Sequence, residues 1–478
     1  MLFNSIDFAV FLPVVFAFHW FLAKGSSRNQ NLVLLISSYV FYAWWDARFL
    51  LLIVFSTVID YFIGLQLSKE KDSRNRKFLM LTSVFVNLGL LGVFKYYNFF
   101  IDNFTEVFSF FGSQIKGNAL HIILPVGISF YTFQTLSYTI DVYRNKLEST
   151  RNLISFALFV SFFPQLVAGP IERATKLLPQ FYKKRTFEYH QAKHGVYLII
   201  WGLFKKIVIA DSCANYVNAI FLNYDDLNSL SLMLGAVYFA FQIYCDFSGY
   251  SDIAIGTARL FGVNLMTNFK FPYFSRDVGE FWRRWHISLS SWFRDYLYIP
   301  LGGSKGSQWM NLRNIGIIFL VSGFWHGANW TFIVWGGLNA VYFIPLFLAN
   351  RNRRHIESVS SGKKIINFRD FFSILFTFIL ITISWVFFRS ETVNDALIYL
   401  KRVVVFNFNG GAEYLSIERY TVELMLLLFI FVIIEWYSKT KEHPFFGKMK
   451  SLKIGLILVG IITLGNYANI NDFIYFQF

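Results

Sequence analysis

An all-α, polytopic membrane protein is the fold class that the sequence predicts. Of the 478 residues, 55% are hydrophobic and 15% are charged, whereas about a quarter of residues are charged in soluble domains. The charged residues form short clusters between continuous apolar runs, and barrel strands would instead alternate apolar and polar residues. The mean hydropathy is +0.46. Together these observations predict one transmembrane domain over residues 1–478, with about a dozen helices.

The basic clusters predict which helix ends face the cytosol, because Lys and Arg accumulate on the cytoplasmic side of a membrane. Thirty-five of the 44 Lys and Arg residues lie in seven such clusters. Their alternation with the apolar runs puts both termini outside the cytosol. The same rule accounts for the net charge of +15, so membrane lipids are expected partners and nucleic acid is not. The clusters are 24–30, 68–77, 144–151, 172–194, 259–313, 350–370 and 438–453.

Nine apolar runs connect the two sides as predicted spans: 3–23, 31–46, 49–67, 78–98, 120–141, 230–250, 370–388, 419–437 and 454–470. The stretch 152–171 lies between two basic clusters and contains two prolines, which predicts a re-entrant or broken helix. Lys205 and Lys206 interrupt the run 195–222, so the edges of that crossing stay open. Segments 172–194 and 270–313 are expected to be cytosolic or interfacial.

No metal and no resident cofactor are expected. Cys213 and Cys245 form no closely spaced pair, so neither a disulfide framework nor a thiolate metal site is indicated. The chain lacks the Gly-x-Ser-x-Gly elbow, the His-Glu-x-x-His motif and a phosphate-binding loop. Asp246 and Asp252 are other acids near membrane depth, where they would line a polar cavity or satisfy helix ends.

One histidine, His326, lies inside the run 314–350, which contains no Asp, Glu, Lys or Arg. Basic residues close the run on both sides, and it is too short for two full crossings of about 20 residues each. We therefore expect the turn around His326 at or just beneath the outer membrane surface. An ionisable group at membrane depth is functional by default. Neutral imidazole can accept the proton of a hydroxyl that attacks a thioester; the alternative is a histidine that only bonds a neighbouring helix.

The residues around His326 suggest supporting roles. Asn329 lies three positions on, hence on the same face if the helix continues. It would then fix the imidazole tautomer or donate to a developing oxyanion, or else act only as a packing amide. Gly323 and Gly327 leave room for close approach of backbone or substrate.

A second segment, 281–294, is rich in tryptophan and arginine. At helical spacing an aromatic stripe that includes Trp285 runs beside a polar stripe that includes Arg283, His286 and Arg294. One interpretation is an interfacial helix anchored by tryptophans. The functional interpretation is a docking surface for an anionic acyl donor, with His286 at a tunnel mouth.

Four stretches, 163–179, 245–256, 281–303 and 322–340, together resemble the membrane-bound O-acyltransferase (MBOAT) superfamily. The likeness is strongest to its bacterial polysaccharide branch, which includes the membrane proteins of alginate O-acetylation and teichoic-acid D-alanylation. The resemblance implies a ring of helices around a transmembrane tunnel in the bacterial inner membrane. It also implies that His326 is the catalytic histidine and His286 the second, cytosolic histidine. Trp285, Trp325, Asn329, Arg283 and Arg294 are the expected substrate contacts.

The C-terminal segment 471–478 is predicted to lie outside the cytosol. Its pattern, Phe473-x-Tyr475-x-x-Phe478, resembles an aromatic tail in the teichoic-acid D-alanylation machinery. That resemblance implies that Tyr475 carries the acyl group, which a phenolic ester would keep activated. The alternative is an aromatic anchor at the membrane interface.

The resulting hypothesis is a transmembrane acyl relay. A cytosolic thioester, either acetyl-CoA or an acylated carrier protein, donates an acetyl group for O-acetylation of an extracellular polysaccharide, alginate-like or another exopolysaccharide. An extracytoplasmic acetyltransferase and polysaccharide machinery are the expected partners. The alternatives are an O-acyltransferase acting on a lipid or protein, and a proton-coupled transporter gated by His326.

Overall fold

The computed structural model describes residues 1–110, 120, 122–167, 169–357, 359, 366–408, 421–467 and 473–474. Over these residues the regular structure is helical and contains no strand, so the predicted all-α class is confirmed. The chain divides into two compact units, Met1–Val196 with Ala254–Met266, and Tyr197–Ile253 with Thr267–Phe478. The single transmembrane domain stays a prediction.

The first unit is built from short and long apolar helices. Five stretches of the described chain are long and apolar enough to cross a membrane, two of them here, Ser27–Lys69 and Ser73–Phe110. The helices are α1 (Ile6–Ala17), α2 (Ser27–Asp46), α3 (Leu50–Lys69), α4 (Ser73–Leu91), α5 (Tyr97–Phe110), α6 (Ile128–Tyr143), α7 (Leu153–Ser161), α8 (Phe163–Leu166), α9 (Ala174–Tyr182) and the start of α10 (Tyr189–Leu203).

The second unit holds the later helices and the three remaining long apolar stretches, Ser229–Leu260, Trp330–Leu348 and Phe368–Arg389. Its helices are α11 (Asp211–Leu222), α12 (Ser229–Leu260, whose last residues belong to the first unit), α13 (Val278–Arg284), α14 (Ile287–Phe293), α15 (Gln308–His326), α16 (Trp330–Leu348), α17 (Phe368–Arg389), α18 (Val393–Val404), α19 (Thr421–Ser438) and α20 (Lys450–Leu464). Phe204–Ala210 and Arg294–Tyr298 form π-helical turns. Each predicted span overlaps a helix.

The stretch between two basic clusters is a broken helix, as predicted. α7 ends at Ser161, and α8 begins two residues later at Phe163. The backbone N–H of Phe163 donates to the Ser38 hydroxyl at 3.0 Å instead of continuing α7, and Pro164 has no N–H to offer. Burial of this irregular backbone inside the unit satisfies its polar groups without water.

A polar cluster ties three helices of the first unit together around Asp60, which is fully buried. The carboxylate accepts hydrogen bonds from Asn87 Nδ2 at 2.8 Å, from Thr139 Oγ1 at 3.1 Å, and from the Ser83 hydroxyl. These donors come from α4 and α6, while Asp60 lies on α3. Hydrogen bonds from uncharged groups therefore satisfy a carboxylate at the centre of an apolar unit.

Candidate functional site

The turn that carries His326 has the predicted position in the chain. α15 ends at His326, Gly327 is extended, and α16 begins at Trp330. The two helices are thus joined by three residues. The depth of this turn relative to the outer membrane surface stays a prediction.

Glycines allow α15 and α16 to pack closely beside the turn. A Cβ added to Gly323 would lie 2.2 Å from the Phe332 carbonyl oxygen, and one added to Gly336 would lie 2.3 Å from the Phe319 carbonyl oxygen. No side chain fits at such distances, so backbone meets backbone here. Close helix contact of this kind fixes the orientation of the last turn of α15, which holds His326.

Aromatic rings surround the His326 side chain, which is 4% exposed. Its ring centroid lies 5.0 Å from that of Trp325, 5.1 Å from Trp335 and 5.4 Å from Phe388. Trp335 in turn stacks on Trp385 at 5.5 Å. The imidazole is therefore held by apolar walls from α15, α16 and α17, an environment that excludes water from a reacting ester or thioester.

The helical spacing predicted over 281–294 is wrong, because the chain breaks at His286. α13 ends at Arg284 and α14 begins at Ile287, with His286 at φ +42°. A residue at positive φ cannot continue a right-handed helix. Asn268 bridges the break: its carbonyl accepts from Ile287 N–H at 2.9 Å, and its Oδ1 accepts from the Ser288 hydroxyl at 2.6 Å.

The break turns His286 into the interior of the second unit. Its side chain is 1% exposed, and its ring centroid lies 4.7 Å from Phe247 and 6.5 Å from Phe269. Burial lowers the pKa of His286 to about 3, so the imidazole is neutral at physiological pH. A ring whose pKa is this low resists protonation, so His286 is suited to hydrogen bonding as a neutral imidazole rather than to holding a proton.

Trp325 joins the two histidines. Its ring centroid lies 6.3 Å from that of His286 and 5.0 Å from that of His326, and its side chain is buried. The structure thus brings two histidines from separate parts of the sequence, and a tryptophan expected to contact substrate, into one aromatic site. We call His286, Trp325 and His326 the histidine site.

The other residues predicted to contact the acyl donor differ in their burial and in their partners. Trp285 is 1% exposed and lies between Phe281, at 5.4 Å, and Trp385, at 5.1 Å. The Arg283 guanidinium donates to the backbone carbonyls of Asn352 and His355, which lie after α16. Arg294 pairs with the neighbouring Asp295 at 2.8 Å, and its side chain is 63% exposed. Their contact with an acyl donor stays a prediction.

Asn329 does not share a helix face with His326, because α15 ends before it. Asn329 is the N-cap of α16 and accepts from Thr331 N–H at 3.0 Å. Its Nδ2 donates to the Glu391 carbonyl at 2.8 Å. These contacts make Asn329 a capping and bridging residue of the turn, and the expectation that rested on a continued helix is wrong.

The predicted tail residue Tyr475 lies outside the described residues, and so does Phe478. The two residues before Tyr475 are described, and both are buried in the second unit, with Phe473 0% and Ile474 2% exposed. The backbone N–H of Ile474 donates to Asp246 Oδ2 at 2.7 Å. The chain directly before Tyr475 is therefore in the protein interior.

Several contributors to these sites carry no sequence signal of their own. Asn268 lies in an ordinary loop, and nothing in its neighbourhood marks it as the support for the break at His286. Trp335, Trp385 and Phe388 look like ordinary residues of apolar helices. Lys206 does carry a signal, since a cation within an apolar run requires a partner. Of its two partners, Asp211 and Asp246, only Asp246 was among the acids noted near membrane depth.

The fold and the histidine site define a polytopic membrane protein with two buried histidines among aromatic rings, an arrangement that suits chemistry away from water. Comparison with protein families identifies the class further: the model of the membrane-bound O-acyltransferase family, MBOAT, matches residues 44–388. This match covers well over half of the chain. The chain belongs to the MBOAT family, and it is a multi-pass membrane O-acyltransferase.

Relatives of the chain act on different acceptors. The probable alginate O-acetylase AlgI of Pseudomonas aeruginosa is 42% identical over 398 residues, which cover 83% of this chain and 73% of that protein. The peptidoglycan O-acetyltransferase of Helicobacter pylori is 35% identical over 437 residues, 85% of this chain and 80% of that protein. The teichoic acid D-alanyltransferase of Bacillus subtilis is 29% identical over 46% of this chain and 58% of that protein.

Proposed function

We propose that this protein moves an acetyl group from a cytosolic thioester across the bacterial inner membrane for O-acetylation of an extracellular polysaccharide. The observation that carries the proposal is the histidine site, in which two buried histidines flank one indole. One histidine belongs to the predicted cytosolic segment 270–313. The other, His326, ends α15, and because both rings lie beside Trp325, the two histidines are much closer together than the thickness of about 30 Å of a bilayer core.

The chemistry assigned to His326 is general base catalysis. Its imidazole takes the proton from an attacking hydroxyl, the hydroxyl oxygen bonds to the thioester carbonyl carbon, and the carbon–sulfur bond breaks. The proton then passes to the leaving thiolate, so the products are an acetyl ester and a free thiol. Burial among Trp325, Trp335 and Phe388 limits competing hydrolysis, since it keeps water from the carbonyl.

The donor is acetyl-CoA or an acylated carrier protein, approaching from the side of Arg283, His286 and Arg294. Arg283 and Arg294 are the exposed cations of this set, and an exposed guanidinium suits recognition of phosphate groups. Trp285 and Trp325 line the aromatic route that the acyl group would follow. The names of the two long relatives favour acetyl as the transferred group.

Tyr475 is proposed as the first acceptor. Its phenol would receive the acetyl group, and the resulting phenolic ester would transfer it to a sugar hydroxyl, directly or through an extracytoplasmic acetyltransferase. The buried positions of Phe473 and Ile474 support this role, because they bring the chain into the unit that holds the histidine site. An aromatic anchor on the membrane surface would instead leave these residues exposed to lipid.

The acceptor polymer is proposed to be an exopolysaccharide such as alginate, on the strength of the 42% identity to an alginate O-acetylase. Peptidoglycan is the second candidate, favoured by the equally extensive match to a peptidoglycan O-acetyltransferase. Acetyl content of secreted polysaccharide and of purified cell wall, each compared between wild-type and deletion strains, distinguishes the two.

The proposal can be tested with the purified full-length protein in lipid nanodiscs. The protein is incubated with labelled acetyl-CoA or with a labelled acetylated carrier protein. Mass spectrometry should find one acetyl group on the C-terminal peptide, at Tyr475. His326→Asn should slow its appearance by about 10²–10⁴-fold, the usual contribution of a general base.

His443→Asn is the matched control, because His443 is also buried in the second unit but contacts Tyr197 and Phe445 rather than the histidine site. It should acetylate at the wild-type rate per folded molecule. If His326→Asn acetylates as fast as this control, the general-base role is refuted. If Tyr475→Phe leaves polysaccharide acetylation unchanged in cells, the relay through the tail is refuted and the acceptor attacks the thioester without it.

A further inference from the structure

A buried ionic cluster lies where the described part of the C-terminus meets α12. We call Lys206, Asp211 and Asp246 the tail cluster. Lys206 Nζ lies 2.8 Å from Asp211 Oδ1 and 2.9 Å from Asp246 Oδ1, and none of the three side chains is more than 3% exposed. Charges removed from water are stable only when paired and hydrogen-bonded, so these three groups depend on one another.

The tail uses this cluster as an attachment point. Ile474 N–H donates to Asp246 Oδ2 at 2.7 Å, while Oδ1 of the same carboxylate faces Lys206. The Phe473 ring lies 4.5 Å from Tyr250 and 5.8 Å from Phe247, between centroids. One polar and two aromatic contacts therefore fix the last described residues against one face of α12.

A second attachment lies where the chain leaves α20. Asn466 N–H donates to the Ile207 carbonyl at 3.2 Å, and Asn466 Nδ2 donates to the Asp211 carbonyl at 3.4 Å. Ile207 lies in the π-helical turn that carries Lys206, and Asp211 directly follows that turn. Both described parts of the C-terminal segment are thus bonded to the same turn and its ion pairs.

The tail cluster is also linked to the histidine site. Phe247 follows Asp246 on α12, and its ring lies 5.8 Å from Phe473 and 4.7 Å from His286. Phe473 and His286 therefore contact the same ring. The position of the tail and the position of this histidine are coupled through one phenylalanine.

We propose that Asp246, oriented by Lys206, is a positioning residue that docks the C-terminal tail inside the protein. Lys206 occupies one carboxylate oxygen and leaves the other to accept the Ile474 N–H, a charge-assisted hydrogen bond. The docked residues are this chain's own Phe473 and Ile474. The docking is independent of the proposed function; its contribution to acyl transfer rests on the proposed acceptor role of Tyr475.

Hydrogen–deuterium exchange of the C-terminal peptide, in the full-length protein in nanodiscs, measures the docking directly. Asp246→Leu removes the acceptor at similar side-chain size, so the peptide should exchange about tenfold faster or more. Asp246→Asn keeps an acceptor oxygen and should retain most of the protection. Lys206→Met should also lose protection, because the unpaired carboxylate reorients or takes up a proton.

Asp252→Leu is the matched control, since Asp252 lies on the same helix and pairs with Lys205 at 2.7 Å. It also removes the partner of a buried lysine, since the Lys205 side chain is 4% exposed, but it should leave exchange of the tail unchanged. A folded Asp246→Leu protein, judged by gel filtration and by exchange of α15 and α16, that protects its tail as the wild type does would overturn the proposal. Equal loss of protection in Asp252→Leu would overturn it too, because the effect would then be general.

Acetyl transfer supplies the readout that separates positioning from structure. With Asp246→Leu, labelling of Tyr475 should fall more than tenfold. Restored labelling in Asp246→Asn would support the positioning role. Undiminished labelling in Asp246→Leu would refute it. Tail protection without any labelling in the wild type would refute the acceptor role of Tyr475 and leave the docking intact.

Discussion

The two units each bury a carboxylate, and they satisfy it in different ways. Among the described residues, only uncharged donors reach Asp60 in the first unit, and they come from neighbouring helices. Asp246 in the second unit faces the Lys206 ammonium and a backbone N–H from 228 positions further along the chain. The first arrangement joins helices, whereas the second joins the end of the chain to the centre of a unit. A buried acid therefore indicates function only when its partners are known.

Loss of Lys206 should be the most damaging single change to this pair of clusters. Lys206→Met leaves two buried carboxylates without their shared cation, which costs about 3–5 kcal/mol. Equilibrium unfolding in mixed micelles measures this change in the free energy of unfolding. Lys305→Met, at an exposed position, should change it by no more than about 0.5 kcal/mol. If Lys206→Met and Lys305→Met have similar free energies of unfolding, the Lys206 ammonium is not paired with Asp211 and Asp246 in the membrane.

Neutralisation of Asp60 should destabilise the protein less than loss of Lys206 does, and it should leave catalysis unchanged. Asp60→Asn keeps an acceptor oxygen but turns an amide donor toward the groups that donate to Asp60, at a cost of about 1–3 kcal/mol. Its acetyl transfer per folded molecule should equal that of the wild type. An Asp60→Asn protein that is stable yet inactive would give the first cluster a role beyond packing.

The smallest effect is expected from removal of one donor to Asp60. Ser83→Ala deletes a single hydroxyl while Asn87 and Thr139 still donate, so the free energy of unfolding should fall by about 1 kcal/mol. Ser68→Ala, at an exposed position, supplies the comparison and should be close to neutral. If Ser83→Ala lowers the free energy of unfolding as much as Lys206→Met does, the hydrogen bonds around Asp60 depend on one another as strongly as the ion pairs around Lys206.

The fold was predictable because apolar runs and basic clusters alternate strongly along the chain. His326 was predictable for the same reason, since a lone histidine in an uncharged run stands out. The rule that singled out His326 also applies to Lys206, but its partners Asp211 and Asp246 could be paired with it only in three dimensions. The break at His286 was missed because Asn268, 18 positions earlier in the sequence, supports it.

The aromatic environment of the histidine site could not be predicted from the sequence either. Trp335 and Phe388 come from two helices separated by a loop. Hydrophobic periodicity predicts that each helix forms, but it does not predict which helices pack against each other. The helical stripe over 281–294 was predicted from spacing alone, and spacing carries no information about a residue whose φ is positive. The capping role of Asn329 was missed for a related reason, because the helix end at His326 had to be known first.

The left-handed backbone at His286 constrains how this position can change. Asparagine adopts positive φ several-fold more readily than most residues, whereas β-branched residues rarely do. Valine or isoleucine here would reshape the loop and disturb Trp325 through the main chain, whatever happened to proton transfer. An inactive His286→Val protein would thus report on conformation, and His286→Asn is the replacement that isolates the ring. The same preference limits which neutral substitutions this position can accumulate during evolution.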